Sequence, residues 1–234
     1  MNLPTADELA ALATFDTPTI CNALEIVQPN APRRGFTVRP LLCGFPDLPP
    51  IVGYARTATI RAKDPPAGSA SDVKSLRYDY YRFVERGPRP TIIVMEDIDG
   101  ADAGFGAFWG EVHSAVHKGL GAIGLITNGS IRDLPQWAPG FQVLAGTIGP
   151  SHAHANLVAF DLPVNVAGMA VVTGDLIHAD RHGAVVVPLA AVRDLPAAAR
   201  ACADREAPII AAARAADCSA EKLVGVMTAL DAVH

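Results

Sequence analysis

A layered α/β protein with a mixed sheet is the fold class this sequence predicts, on three observations. Two successive helix-then-strand units occupy its middle, β-branched runs follow from Gln142 onward, and helical text returns after Ala190. Alternating helix and buried strand builds parallel pairs. Consecutive strands joined by short Gly, Pro and Asp turns build antiparallel ones, so a sheet shared by both is mixed.

The elements follow in order. Thr5-x-x-Glu8 is a capping-box pattern ahead of Leu9 and Leu12, and Thr17-Pro18 sets an N-cap before a proline at the first helical position, so two short helices open the chain. Pro29 to Pro50, rich in Pro, Gly and Arg, reads as irregular, and Ile51 to Arg61 alternates apolar and polar residues like a strand. Val73, Leu76, Tyr80 and Val84 recur at helical spacing, Gly87-Pro88 ends that helix, and Thr91 to Met95 is a short buried strand. Val112, Ala115, Val116 and Leu120 then line one helical face, Gly119 and Gly121 stop it, and Ala122 to Thr127 is a second buried strand before the Asn128-Gly129 turn. Val143 to Ile148, Val164 to Val172 and Ala184 to Val187 read as strands, and Ala190 to Ala216 as helix interrupted near Pro196 and Pro208.

Composition narrows the function. With 234 residues, half of them hydrophobic, the chain is expected to form one domain with a sizeable core, since no low-complexity linker divides it. The formal net charge is -5 and the Lys and Arg residues are scattered, so no basic surface for nucleic acid is expected. Met1 to Glu8 lacks a basic region followed by an apolar core, and every later apolar run is broken short of a membrane span. The expectation is a cytoplasmic protein. Cys21, Cys43, Cys202 and Cys218 form no C-x-x-C pair and read as reduced core thiols.

The stretch with chemical content runs from Trp109 to Asp133. A helix beginning near Gly110-Glu111 offers the free amides of Glu111, Val112 and His113 to an anion, and the following strand leads to a turn bearing Arg132 and Asp133. If the chain doubles back, these groups face one pocket containing N–H donors for a carboxylate, a guanidinium for an oxyanion and a carboxylate for a divalent cation. Taken alone, the Arg-Asp dipeptide reads first as an inert surface pair.

The wider pattern W-G-E...A...K-G-x-G-x-x-G-x-x-x-x-G-x-x-R-D resembles the signature of the RraA-like family, which includes class II pyruvate aldolases acting on 4-hydroxy-4-methyl-2-oxoglutarate and 4-carboxy-4-hydroxy-2-oxoadipate. Thr17 to Leu24 is similar to the family's opening helix, Pro163 to Gly168 to its P-V-x-V-x-G strand, and Thr173 to Pro188 to its P-G-D...A-D-x-x-G-V-V-V-P segment. The resemblance implies a single swivelling β/β/α domain, with a mixed sheet flanked by helices, a core at about 15 to 190 and a C-terminal helical segment at 190 to 234. It also implies a homotrimer or dimer of trimers with sites between subunits. By the same resemblance Arg132 is the enolate-stabilising arginine, Asp133 the residue associated with Mg2+ or Mn2+, and Glu111 the acidic residue at the helix start. Val112 and His113 supply amides to the pyruvyl carboxylate of a small 2-oxo acid, and Glu206 is the candidate acid reaching in from a neighbouring subunit. The implied activity is metal-dependent C–C cleavage releasing pyruvate, with oxaloacetate decarboxylation as a companion. The family's other branch implies a non-enzymatic regulator of ribonuclease E that binds protein partners; Glu111 favours the enzyme.

Other candidates are weaker. His113 and His117 stand four apart on the helix, but without an H-E-x-x-H glutamate or an indicated third ligand they read as a solvated or partly packed pair. His152, His154, His178 and His182 depart from the pattern of aldolase members and either mark a different substrate or hydrogen-bond turns and subunit contacts, while Asp175 and Asp180 read as turn formers. There is no Walker loop, dinucleotide fingerprint or nucleophile elbow, and Lys63, Lys74, Lys118 and Lys222 sit in exposed-looking sequence, which disfavours a Schiff base.

Overall fold

The computed structural model describes residues 3–231. Helices α1 (Ala6–Leu12) and α2 (Thr17–Val27) open it. The α1 capping box forms as the spacing predicts, with Glu8 accepting the Thr5 amide at 2.8 Å and Thr5 accepting the Glu8 amide at 3.2 Å. In α2 the N-cap is Asp16 and not Thr17: its carboxylate accepts the Thr19 amide at 2.8 Å, and Thr17, one residue inside, is buried against the sheet.

The irregular segment that follows contains one two-residue strand, β1 (Leu42–Cys43), before the long β2 (Ile51–Arg61). The alternation in β2 suggested one wet face, yet every residue from Val52 to Ile60 is buried, because the strand lies at the centre of the sheet with material on both faces. Its polar residues are satisfied only in part, since the Tyr54 hydroxyl and Arg56 Nε are buried without a hydrogen-bond partner among the described residues. Thr57 and Thr173 share a hydroxyl hydrogen bond at 2.8 Å, and the Arg56 guanidinium sits 5.0 Å from the centre of the Phe83 ring. Helix α3 (Ala70–Glu85) starts ahead of its apolar stripe because Ser69 and Asp72 form a second capping box.

Next come β3 (Thr91–Asp97), β4 (Ala107–Trp109), α4 (Glu111–Gly119), β5 (Ala122–Thr127), β6 (Ser130–Ile131), β7 (Gln142–Ala145) and β8 (Thr147–Ile148). The single strand expected over Val143 to Ile148 is thus two, divided at Gly146, where any side chain would collide with the Asn128 backbone. The strands β9 (Asn156–Phe160), β10 (Val164–Val166), β11 (Met169–Val171), β12 (Leu176–Asp180) and β13 (Gly183–Val187) follow. The Val164 to Val172 run is a hairpin, turned by Ala167 and Gly168 in left-handed conformations. Helices α5 (Leu195–Arg214) and α6 (Ala220–Asp231) close the described chain. Of the two expected interruptions, the one near Pro196 occurs, since Leu189–Ala191 is a separate 3-10 turn and α5 begins only at Leu195, and the one near Pro208 does not. Pro196 falls in the first turn, where its missing N–H has no acceptor to serve, and the helix continues through Pro208 while packing along α2 and α6.

The main sheet runs β1-β7-β5-β3-β2-β12-β13, with β9 pairing the far half of the β2 edge that β12 leaves free. Strands β2, β3, β5 and β7 are mutually parallel and the outer pairs antiparallel, the mixed sheet the sequence predicts. One core lies under α3 and Trp109, another between the sheet and α1, α2 and α5, and a third under the β10–β11 hairpin. No described helix is long and apolar enough to cross a membrane. The cysteines are all free, but Cys21, Cys43 and Cys202 are only half-buried and Cys218 is exposed, so they are not core thiols.

Candidate active site

Strands β3, β5 and β7 each lead into a short strand of a second, parallel sheet ordered β4-β6-β8. Ala107 and Trp109 stand opposite Ser130 and Ile131, which in turn stand opposite Thr147 and Ile148. Parallel strands leave a sheet on the same side, so the segments that begin at Gly110, Arg132 and Gly149 emerge together. Open α/β sheets place ligand sites at such strand ends. One further backbone bond, from the Arg132 amide to the Trp109 carbonyl at 2.9 Å, ties the Arg-Asp turn to the helix start.

Asp133 sits in the left-handed region, at φ 58 and ψ 34, a conformation aspartate tolerates better than most residues. Its Oδ2 accepts the Glu111 amide at 3.4 Å and lies 3.5 Å from Arg132 Nε. The carboxylate therefore caps α4 from another segment, in place of Gly110, which has no side chain to do so. A Cβ at Gly110 would collide with Asp133 Oδ2. The amides of Val112 and His113 lie in the same first turn, beyond the reach of any intrahelical acceptor, and Val112 itself is 69% exposed.

These groups line a cleft of about 330 Å³, together with Phe108, Arg77 from α3 and His152 from the segment after β8. The His113 ring lies 4.4 Å from that of Phe108, and its Nε2 is buried with no hydrogen-bond partner among the described residues. Burial above all, then the nearby charges of Arg77 and Arg132, push the His113 imidazole down to about 4, so it is neutral at physiological pH.

His117 corrects the reading of α4. The helix buries Ser114 and His117, while Val112 and Ala115 are exposed. His117 Nδ1–H donates to the His113 carbonyl at 2.7 Å, leaving Nε2 to accept the Tyr80 hydroxyl at 3.0 Å, and the ring packs 4.3 Å from Trp109. Ser114 donates to the Glu111 carbonyl and accepts the Ala138 amide. Polar side chains with all their partners supplied can be buried at little cost, which a hydropathy count does not detect.

The structure thus brings Val112, His113, Arg132 and Asp133 to one cleft, which Glu111 meets only through its backbone amide, its side chain being exposed and outside the lining. Glu206 lies elsewhere in the same chain, on α5 in a groove shared with Asn22, Glu25 and Arg205. His154 is exposed and donates its amide to Ala62. Fully buried His178 donates from Nε2 to the carbonyls of Leu12 and Phe15 and accepts the Thr17 hydroxyl at Nδ1. Asp180 accepts the amides of Thr17 and His182, and Asp175 the amide of Val172. These are turn and helix anchors. Arg77 was not legible as a site residue, because only the packing of α3 beside α4 brings it there; its sole signal was its place one turn before Tyr80 on the helix stripe.

No cluster of three or more His, Cys, Asp or Glu side chains among the described residues is arranged to hold a metal ion. Magnesium and manganese do not need one: Mg2+ keeps several waters and takes one or two carboxylates plus substrate oxygens. Asp133 fits that role, since both its protein contacts are at Oδ2 and Oδ1 remains available.

A family model described as RraA-like, Aldolase/RraA, matches residues 17–186. The chain belongs to the RraA-like family. That family includes both aldolases and ribonuclease inhibitors. Among solved structures, this RraA-like fold is similar to an uncharacterized protein from Pseudomonas syringae pv. tomato (TM-score 0.72, 20% identity, 97% of this chain and 96% of that one). It is also similar to Streptomyces coelicolor RraAS2, described as an unusual member of the RNase ES inhibitor RraA family (TM-score 0.64, 22% identity, 88% and 96%). A structure titled as a novel cellulase from gut-associated microbes has a TM-score of 0.70 at 14% identity, covering 88% of each chain. At these identities the likeness is one of fold. No curated protein matches the sequence.

Proposed function

We propose that this RraA-like protein is a divalent-metal-dependent carbon–carbon lyase that cleaves a 4-hydroxy-2-oxo acid to release pyruvate, and that also decarboxylates oxaloacetate. The observation that carries this reading is the Asp133 carboxylate held against the first turn of α4 with Arg132 beside it, in a cleft sized for a small organic acid. The amides of Val112 and His113 bind the substrate carboxylate, as an unfilled helix start favours an anion. A Mg2+ or Mn2+ ion at Asp133 supplies Lewis-acid polarisation of the 2-oxo group. When the bond beyond C3 breaks, its electron pair moves onto the pyruvyl fragment, and the Arg132 guanidinium steadies the negative charge on the enolate oxygen. Arg132 is suited to this because its side chain is still about one third exposed, toward the cleft.

Phe108 and the neutral His113 ring form an apolar wall that limits water around the enolate. Glu206 enters this scheme through a neighbouring copy in a homotrimer or dimer of trimers, as the group that takes the hydroxyl proton. A ribonuclease-binding role has no comparable feature in its favour, since a partner protein leaves a buried Nε2 and a capped carboxylate without use.

The test is pyruvate release from oxaloacetate and from 4-hydroxy-4-methyl-2-oxoglutarate, with and without Mg2+ or Mn2+ and with EDTA. Metal-dependent release that disappears in Arg132→Ala supports the reading. Silence with both substrates overturns it.

A further inference from the structure

Arg77 is a half-buried guanidinium in the cleft that makes no ion pair or hydrogen bond among the described residues. Arg193 pairs with Glu8 and Arg82 with Asp79, while the buried Arg56, whose Nε also has no hydrogen-bond partner, is covered by the Phe83 ring and lines no part of the cleft. A cation kept partly out of water without a counter-ion is held there at a cost unless an anion completes it.

The fold fixes where this charge points. Tyr80, three residues after Arg77 on α3, donates to His117 on α4 and packs 5.5 Å from its ring. One turn earlier on α3 is Arg77, and one turn earlier on α4 is His113, and both line the cleft, so the guanidinium falls near the start of α4. His113 registers this charge, which adds to the effect of burial in keeping the imidazole neutral. The cleft therefore holds two guanidiniums from different walls. Arg132 is paired with Asp133, and Arg77 is free.

We propose that Arg77 is the specificity-determining residue of the site, binding a second carboxylate at the end of the substrate remote from the 2-oxo acid group. The substrate is then a dianion. Its first carboxylate meets the α4 amides and its far carboxylate meets Arg77. The assignment rests on the lyase reading for the identity of the first carboxylate, and on the cleft alone for the second.

Two measurements on the full chain separate the two claims. In turnover, Arg77→Gln is expected to raise KM for 4-hydroxy-4-methyl-2-oxoglutarate by about tenfold or more while leaving kcat within about threefold, as loss of a charge-assisted contact made equally in ground and transition states requires. The neutral-ended 4-hydroxy-2-oxopentanoate is expected to lose nothing, and Arg77→Lys to recover part of the loss. In binding, the unreactive dicarboxylate succinate, titrated by calorimetry in the presence of Mg2+, is expected to weaken about tenfold in Arg77→Gln, while propionate binding is unchanged. Turnover unaffected by Arg77→Gln, or impaired equally for both substrates, overturns the assignment and leaves the lyase intact. Succinate binding that depends on Arg77 in a protein with no turnover sinks the lyase and retains the dicarboxylate site. Succinate binding indifferent to Arg77 in such a protein sinks both.

Discussion

Two clusters of polar side chains lie at opposite flanks of the sheet, and they differ in how completely their atoms are used. At β12, His178 and Asp180 are saturated: both ring nitrogens and both carboxylate oxygens have protein partners from the α1–α2 turn or the next turn. At the start of α4, His113 Nε2 and the Arg77 guanidinium have none among the described residues, and the first-turn amides lie open. A polar group that is both buried and satisfied is explained by the fold it holds. An unpaired charge that lines an open cleft, as Arg77 does, is available to a ligand. By sequence both clusters looked alike, each a His and an Asp near glycines, and the coordinates separate them.

The contrast predicts that damage to the two clusters appears in different measurements. The largest effect expected is in the cleft: Arg132→Ala lowers kcat/KM for the proposed substrate by about 100- to 1000-fold, the scale of a lost oxyanion contact, with an unchanged urea midpoint. A shifted midpoint would move Arg132 into the structural class. Next comes the saturated cluster. His178→Ala leaves the buried Thr17 hydroxyl and the Phe15 carbonyl without a partner and should cost about 2–3 kcal/mol of unfolding free energy, while activity per folded molecule stays the same.

Acid acts on both clusters. Burial, the largest cause for each, lowers His178 and takes His113 to about 4 and His117 to about 3, against 6.5 for a free imidazole. The unfolded chain therefore binds protons first as pH falls. The stability gained by burying neutral rings is complete above about pH 6.5 and declines steadily from there towards pH 4. Urea midpoints across that window should fall, and fall less steeply in His178→Gln; a flat profile would mean the rings are not buried neutral. The smallest effect expected is at the helix that carries Arg77: Ser69→Ala removes its N-cap and should cost about 1 kcal/mol, read as a lower melting temperature with no change in substrate preference.

Much of the fold was legible because its signals are local. The Thr5–Glu8 capping box, the 3.6-residue stripe of α3 and the β-branched runs of β3 and β5 depend on neighbours in the chain, and each lies within the element it announced, although the Ser69–Asp72 box that starts α3 early was not read. The misses involve distant partners. The polar face of α4 is buried because Tyr80 and Ala138 arrive from elsewhere to satisfy it, and α5 survives Pro208 because α2 supports it. The site divides in the same way. Glu111, Arg132 and Asp133 were found from one continuous stretch, and the parallel pairing of β4 with β6 accounts for their meeting. Arg77 comes from a different unit of the chain, and no spacing rule reaches it.

Gly110 has a consequence beyond the cap it lacks. Because a bare hydrogen faces Asp133, that carboxylate can seat deep enough to meet the Glu111 amide. The cleft thus contains an adjusting screw that bears no charge and touches no substrate: one added methyl would wedge the acid outward while leaving every reactive group chemically intact. A catalogue of reactive side chains passes over this position, although the alignment of the whole apparatus hangs on it.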